Sequence, residues 1–398
     1  MICDVLIISN LYPPLQIGGY EIAARDVAEG LEASGLGVEV LTSDYRLDSI
    51  PLKEDHIFRV LKLTGSWFGD YPVKSRLEHD RHNYATTTQF LDKLKPKVVY
   101  AWNQANLGAG PLVAATKRKI PVLHHIMGFD LLTEIYNRHA PITLLKQYIR
   151  TCLLGRHREM RLTDAHIRQS IFLSRFLESH YSHHGVRPRL SRVVHPGIHV
   201  EKIRSKRHYK IQGKTIEIVY VGQLAPHKGV LNIKEAINSL GGDFPIRLTL
   251  FGDGDKRYVD QIFESAQFPI LHEGWIGRDI IYARLHEFDI GIFSSTWDEP
   301  FGIAQIEMMA AGLPVISSGV GGSREAIFDD ENGVLFDCRN RLDLAQKLRC
   351  LIAGYSTHAA RIGKRARETV QMSFSAAHMR QEIRKVIHEI TYRPAISL

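Results

Sequence analysis

Asp289-Ile-Gly-Ile-Phe-Ser-Ser-Thr-Trp-Asp-Glu-Pro-Phe-Gly-Ile-Ala-Gln-Ile-Glu307 reads as an apolar strand, a loop, and a helix opening after the Pro300-Phe301-Gly302 joint. The first amides of such a helix have no partner inside it, so they point at whatever occupies the adjoining crevice. Glu299 lies in the loop and Glu307 more than one turn into the helix, and both aim at the same crevice.

The same alternation runs outward in both directions. Upstream lie the apolar runs Ile216–Val221 and Arg247–Phe251, and downstream lie Pro314–Ser317 and Gly333–Phe336, each followed by a helical pattern. An earlier series comprises Val5–Ser9, Val38–Leu41, Lys97–Trp102, Pro121–Met127, Ser170–Ser174 and Arg192–His195. Its first helix carries Ala24, Val27, Ala28 and Leu31 on one face. Short apolar strands alternating with amphipathic helices predict α/β architecture with parallel sheets. The pattern breaks at a basic stretch near 200–214, the expected linker, and the 398 residues suit two domains, 1–200 and 201–374. Helices are expected over Leu342–Ala353, His358–Met372 and about 375–392. Ligands of open parallel sheets sit at the carboxyl ends of the strands, so the expected site is an interdomain cleft between two facing domains.

Composition narrows the class further. Hydrophobic residues at 44% and charged residues at 24% are those of a globular chain. No apolar run approaches the ~18 residues of a membrane span, and Met1–Val5 lacks the basic start of a signal peptide. Cys3, Cys152, Cys338 and Cys350 show no paired spacing, which suits a reducing, cytoplasmic setting. The formal charge of +8 is uneven: nine Lys/Arg stand against Glu201 between Val186 and Lys214. A second patch places Lys146, Arg150, Arg156, Arg158 and Arg161 on an expected amphipathic helix. Both patches fit solvated faces, or peripheral contact with an anionic membrane surface at the inner face. Nucleic acid is a poor fit, because no recognition motif accompanies the charge.

Three further loops carry chemistry. Between the first strand and helix, Pro13-Pro14 stiffens the chain, and Gly18-Gly19 lets backbone approach a ligand at a helix start. Val221-Gly-Gln-Leu-Ala-Pro-His-Lys-Gly229 puts Lys228 just ahead of a helix, where an ammonium suits a diphosphate. Gly252-Asp-Gly-Asp255 fits a divalent cation or a helix cap, and the cap is favoured because no third acid is spaced nearby. His180, His183 and His184 share a helical face, but they precede Gly185, where histidines suit a helix end. By themselves, Glu299 also fits a carboxylate that favours a helix N-terminus electrostatically, and Glu307 a solvated helix residue. That reading leaves the Pro-Phe-Gly joint and the Gly319-Val-Gly-Gly322 loop unexplained.

Taken in order along essentially the whole chain, these motifs resemble the retaining nucleotide-sugar glycosyltransferases of family 4, with the GT-B fold of two facing Rossmann-like domains. The resemblance rests on Tyr12-Pro-Pro…Gly18-Gly19, Val221-Gly-Gln-Leu…Lys228-Gly, Gly252-Asp-Gly254, Glu299-x7-Glu307, Gly312-Leu-Pro-Val315 and Gly321-Gly-x-x-Glu325. It implies an N-terminal acceptor domain, joined by a last helix within about 375–398, and a C-terminal donor domain. Lys228 would neutralise the donor diphosphate, and Glu299 would hold hydroxyls of the transferred sugar. The amides of Phe301, Gly302, Ile303 and Ala304 would contact sugar and phosphate, and Glu307 would grip the ribose. Gly18 and Gly19 would lie against the diphosphate, while Gly252 and Ile276 would flank the base. Gln223 stands where the family often has arginine. Met127 stands where it commonly has a histidine facing the sugar; His125, one pleat back at about 6.6 Å, or Asp130 on the acceptor side would substitute. His124 points to the opposite strand face and reads as structural.

The implied reaction moves a hexose from a nucleoside diphosphate sugar, UDP or GDP, to an acceptor: a glycan, a lipid-linked glycan or a small molecule. Neither cofactor nor metal is required. Epimerisation or phosphorolysis of sugars on the same scaffold, and non-catalytic nucleotide-sugar binding, stand as alternatives. Eight positions apart, Glu299 and Glu307 also invite comparison with the acid and base of a glycosidase. The helix start between them favours phosphates in that position instead.

Overall fold

A run such as Val5-Leu-Ile-Ile8 has no polar face, so it is stable only when covered on both sides. The computed structural model describes residues 3–15, 19–46, 55–63, 73–129, 131, 167–211, 215–340 and 342–392, and it covers all four of these side chains completely. They form β1, an inner strand of a seven-stranded parallel sheet in the order β3-β2-β1-β4-β5-β6-β7. Chain order is β1, α1 (Gly19–Glu32), β2 (Val38–Ser43), β3 (Ile57–Leu61), α2 (Val73–Leu94), β4 (Val98–Ala101), α3 (Gly110–Lys117), β5 (Val122–Ile126), β6 (Gln169–Phe172), α4 (Arg175–His183) and β7 (Leu190–Val193). The face of α1 with Ala24, Val27, Ala28 and Leu31 is buried, as its spacing predicts.

The second sheet has six parallel strands in the order β10-β9-β8-β11-β12-β13. Its elements are β8 (Ile216–Val221), α5 (Val230–Asn238), β9 (Ile246–Phe251), α6 (Lys256–Phe263), β10 (Ile270–Gly274), α7 (Arg278–Arg284), β11 (Ile290–Phe293), α8 (Ile303–Ala310), β12 (Val315–Ser317), β13 (Val334–Leu335), α9 (Asp343–Ala353) and α10 (Ala360–Ser373). Strand β8 shows why both faces are apolar: Ile216, Ile218 and Tyr220 enter one core cluster, while Val219 and Val221 enter another. The last helix, α11, spans Ala376–Tyr392.

Contacts divide the chain into one unit of Met1–Val194 with Arg380–Leu398, and a second of His195–Met379. The basic stretch expected as a linker is packed in its described part. Ile203 and Tyr209 are buried, and the Lys206 ammonium binds the Phe288 carbonyl at 2.7 Å and Asp289 at 3.1 Å. A buried apolar residue every few positions anchors this stretch in the second unit despite its charge. Within the first unit, α11 buries Ile383, Val386 and Ile387. Glu389 pairs with Arg192 at 3.0 Å, and the Tyr392 ring lies 4.7 Å from the Lys97 ammonium. Among the described residues no helix is long and apolar enough to cross a membrane. Gly18, Asp130, Cys152, Lys214 and the basic helix expected around Lys146–Arg161 lie outside the described residues.

Candidate functional site

In each sheet the strand order reverses beside the first strand, and a crevice opens at such a switch point. In the second unit it lies between β8 and β11, and the loops leaving those strands are laced together. Thr296 N–H donates to the His227 carbonyl at 2.9 Å, and the Ser294 hydroxyl donates to the Lys228 carbonyl at 2.8 Å. That lacing brings Lys228 Nζ to 2.5 Å from Glu299 Oε1. The same oxygen accepts from the Ser295 hydroxyl at 2.7 Å and the Trp297 indole N–H at 2.9 Å. The Trp297 ring lies 5.2 Å from the ammonium and meets His227 edge-on at 5.3 Å. Glu299 is only 6% exposed, and its carbonyl accepts from the Gly322 amide at 2.7 Å, so the downstream glycine loop fixes its backbone.

Beyond Glu299 the chain turns into α8. The Phe301 ring is buried against His195 and Phe374, with centroids 5.2 and 5.5 Å away, so only its backbone can meet a ligand. Gly302 has φ 95°, and a Cβ there would lie 2.9 Å from Phe293 Cζ, so glycine is needed to cap this helix. The Ile303 and Ala304 amides fall in the first turn, ahead of the Gln305 N–H bond to the Gly302 carbonyl at 3.2 Å. Ile276, Ile303 and Ala304 pack half-buried on one hydrophobic cluster, whereas Trp275 is 79% exposed.

Glu307 is not a solvated helix residue. It is 3% exposed, and its Oε1 accepts from Tyr282 at 2.8 Å and pairs with Arg278 Nε at 2.9 Å. Burial pushes its carboxyl above the usual range, while Arg278 and Tyr282 pull it back. Gln223 is exposed, and its carbonyl accepts from Tyr220 at 2.8 Å. Gly252 has φ 140°, and a Cβ on it would stand 1.9 Å from the Gly222 carbonyl oxygen, so these two loops run in backbone contact. Asp255 caps α6 through the Arg257 amide at 3.0 Å. In the second unit Gln223, Lys228, Gly252, Ile276 and Glu299 thus stand in loops that follow strands, with the amides of 301–304 at the start of α8 and Glu307 inside it; the pair brought into contact is Lys228 with Glu299.

In the first unit, Gly19 opens α1 and Tyr20 ties it down. The Tyr20 hydroxyl donates to the Met127 carbonyl at 3.3 Å, and its own carbonyl accepts from Trp102 Nε1 at 2.9 Å. Arg59, buried on β3, clamps the preceding loop through the Tyr12 carbonyl at 2.9 Å and that of Pro13 at 2.6 Å. His125 is 5% exposed, 2.6 Å from the Tyr100 hydroxyl, with its ring 4.3 Å from that of Trp102. Burial lowers its pKa to about 3, so the imidazole is neutral at physiological pH. His125 and Met127 border a pocket of about 70 Å³, and His124 borders it as well. The histidines at the end of α4 bind backbone carbonyls, His183 that of Ser179 and His184 that of His180, both at 2.7 Å.

Sequence reasoning missed Ser295, Trp297, Arg278, Tyr282 and Arg59. Ser295 and Trp297 had a signal, since both stand within four residues of Glu299 in one loop. Arg278 and Tyr282 had none, because α7 carries no motif.

The model of the family described as "Glycosyl transferases group 1" matches residues 201–369, and that of the "Glycosyl transferase 4-like domain" matches residues 18–197. An uncharacterized glycosyltransferase of Methanocaldococcus jannaschii is 25% identical over 340 residues, 81% of this chain and 82% of its own. Among solved structures, the sucrose-phosphate synthase of Thermosynechococcus elongatus superposes with a TM-score of 0.72 at 18% identity, covering 98% of this chain and 99% of that one. Anabaena HepE in complex with UDP-glucose superposes with a TM-score of 0.67 at 18% identity, covering 97% and 99%. With both units matched by glycosyltransferase models and the fold shared with these structures, the chain belongs to the GT4-type glycosyltransferases and is a GT-B enzyme of the glycosyl-transferring class.

Proposed function

We propose that the enzyme transfers a hexose from a uridine or guanosine diphosphate sugar to a hydroxyl acceptor, with retention of anomeric configuration and without a metal. The observation that carries this reading is the Lys228–Glu299 pair beside the amides at the start of α8, which have no partner among the described residues. A diphosphate entering there would draw the Lys228 ammonium away from Glu299 and accept from the amides of Gly302, Ile303 and Ala304. The freed carboxylate, still held by Ser295 and Trp297, would accept hydroxyls of the sugar. With Oε1 of Glu307 taken by Arg278 and Tyr282, its Oε2 would face the ribose, with Gly252 and Ile276 flanking the base.

As the glycosidic bond breaks, positive charge grows at the anomeric carbon and negative charge on the departing diphosphate. Lys228 and the fixed amides stabilise the latter, and such preorganised donors supply much of an enzyme's rate enhancement. Gly18, Gly19, His125 and Asp130 belong, in this reading, to the acceptor-handling unit. The neutral His125 would hydrogen-bond rather than carry a proton. A complex of HepE with UDP-glucose and a relative described as a GDP-mannose-dependent alpha-mannosyltransferase keep both the uridine and the guanosine donor in view. Calorimetry with UDP, GDP, ADP and TDP tests the donor: one of the first two should bind, and failure of all four would sink the reading. NMR of the product formed with excess chelator then reads both the anomeric outcome and the need for a metal.

A further inference from the structure

A fully buried glutamine in the second unit connects two parts of the site that no motif joins. Around Gln305 the residues of α8 are apolar: Ile306, Met308, Met309 and Ala310 are completely covered, and so is Gln305. A carboxamide taken out of water costs free energy unless it is hydrogen-bonded, and a leucine or methionine would fill such a place without that cost. Gln305 is bonded at both ends. Its amide nitrogen donates to the Ser323 carbonyl at 2.9 Å, and its oxygen accepts from the Ser317 hydroxyl. Ser317 and Ser323 are themselves completely covered.

The two serines flank the loop that contains Gly319-Val-Gly-Gly322. The Ser317 hydroxyl oxygen accepts from the Gly319 amide at 3.1 Å, and the Ser323 hydroxyl donates to the Val320 carbonyl at 2.7 Å, so each grips the loop between them. That loop in turn holds Glu299. The Gly322 amide donates to the Glu299 carbonyl at 2.7 Å, and a Cβ on Gly321 would stand 2.6 Å from the same oxygen. One side chain thus ties the helix whose first amides meet no partner among the described residues to the loop that fixes the backbone of Glu299. The two parts differ in what else secures them. Helix α8 is anchored by its own buried apolar residues, whereas residues 318–321 are only half-buried. Loss of the Gln305 bonds therefore falls on the loop, and through it on Glu299.

We propose that Gln305 is a positioning residue for the sugar end of the donor: through the glycine loop it fixes where Glu299 stands relative to the amides of α8. The nucleotide end, given to Lys228, those amides and Glu307, keeps its affinity without it. The sugar role rests on the reading of Glu299 in the transfer reaction above; the coupling of Gln305 to Glu299 does not.

The test compares the full chain with Gln305→Met, which keeps the side-chain length and removes both bonds. Calorimetry sets UDP against UDP-glucose and GDP against GDP-mannose, and a transfer assay uses whichever sugar nucleotide binds. Affinity for the bare nucleotide should stay within about twofold while kcat falls about tenfold, as expected for losing one hydrogen bond to a charged group. Ser317→Ala releases only one end of the clamp and should move kcat the same way by less; it carries the test should Gln305→Met fail to fold. Equal losses of nucleotide affinity and kcat, the mark of a merely structural residue, overturn the proposal, and so does an unchanged kcat in both variants. A second readout needs no donor. With ¹⁵N-labelled tryptophan, the Trp297 indole N–H that bonds Glu299 Oε1 should shift in Gln305→Met, its signal being identified by its loss in Trp297→Phe. A signal that stays in place overturns the coupling. A shifted signal in a protein that binds neither nucleotide would refute the donor reading and leave the coupling standing.

Discussion

Glu299 Oε1 holds three donors on one atom, so Lys228 is already neutralised before any ligand arrives. Lys228→Met strands the buried Glu299 carboxylate, held then only by Ser295 and Trp297, so it should cost about 2 kcal/mol of stability as well as much rate. A loss of about 10²–10³ in kcat is expected for removing a principal charge donor at a leaving group, read in a transfer assay with saturating donor. A drop confined to KM would assign Lys228 to binding alone. His125 gives a second prediction at this scale. Its pKa falls from the usual ~6.5 to about 3 on folding, so the stability linked to its neutral form is complete above about pH 6.5. That stability is lost as pH falls toward 3. Between about pH 7 and pH 4 the loss should reach about 3 kcal/mol in urea unfolding, and His125→Phe should flatten that slope. Equal slopes in both proteins would remove His125 as the cause.

Among the elements, the loops behind β8 and β9 touch through backbone, and α7 serves α8 through the Arg278 ion pair and the Tyr282 hydrogen bond to Glu307. Gly252→Ala places a methyl where the Gly222 carbonyl stands, at a φ of 140°. It should destabilise the second unit by about 1–3 kcal/mol or more and abolish nucleotide binding, both measurable by thermal shift with and without UDP. Arg278→Met strands the Glu307 carboxylate. Because the guanidinium is about one-third exposed, at 36%, the cost should fall below the 3–5 kcal/mol of a fully buried pair, near ~2 kcal/mol. Adding Glu307→Gln should recover most of it, and a double variant no more stable than the single would refute that coupling. These elements also show what was legible in the sequence. Strands β1, β4, β8 and β11 are buried throughout or nearly so, and read as apolar runs. Strands β3, Ile-Phe-Arg-Val-Leu, and β10, Ile-Leu-His-Glu-Gly, lie at the sheet edges, half-covered, and their mixed composition hid them. Lys228 and Glu299 were legible because each sits in a loop with its own local punctuation. Arg278 and Tyr282 were not, since each acquires its partner only when separate elements pack together.

For the whole molecule, the second unit is one uninterrupted stretch, while the first is completed by chain returning from its far end. Removing residues 380–398 should uncover the partners of Ile383, Val386 and Ile387 and unfold the first unit, leaving UDP binding by the second intact. Loss of nucleotide binding in that truncation would show the second unit depends on the first. The returning segment also sets an order of events on the ribosome. The second unit can close on itself as soon as its last helix has emerged, whereas the first unit, although synthesised first, waits for α11 with an apolar face uncovered. A nascent chain of this enzyme therefore keeps its first unit sticky until α11 has been synthesised.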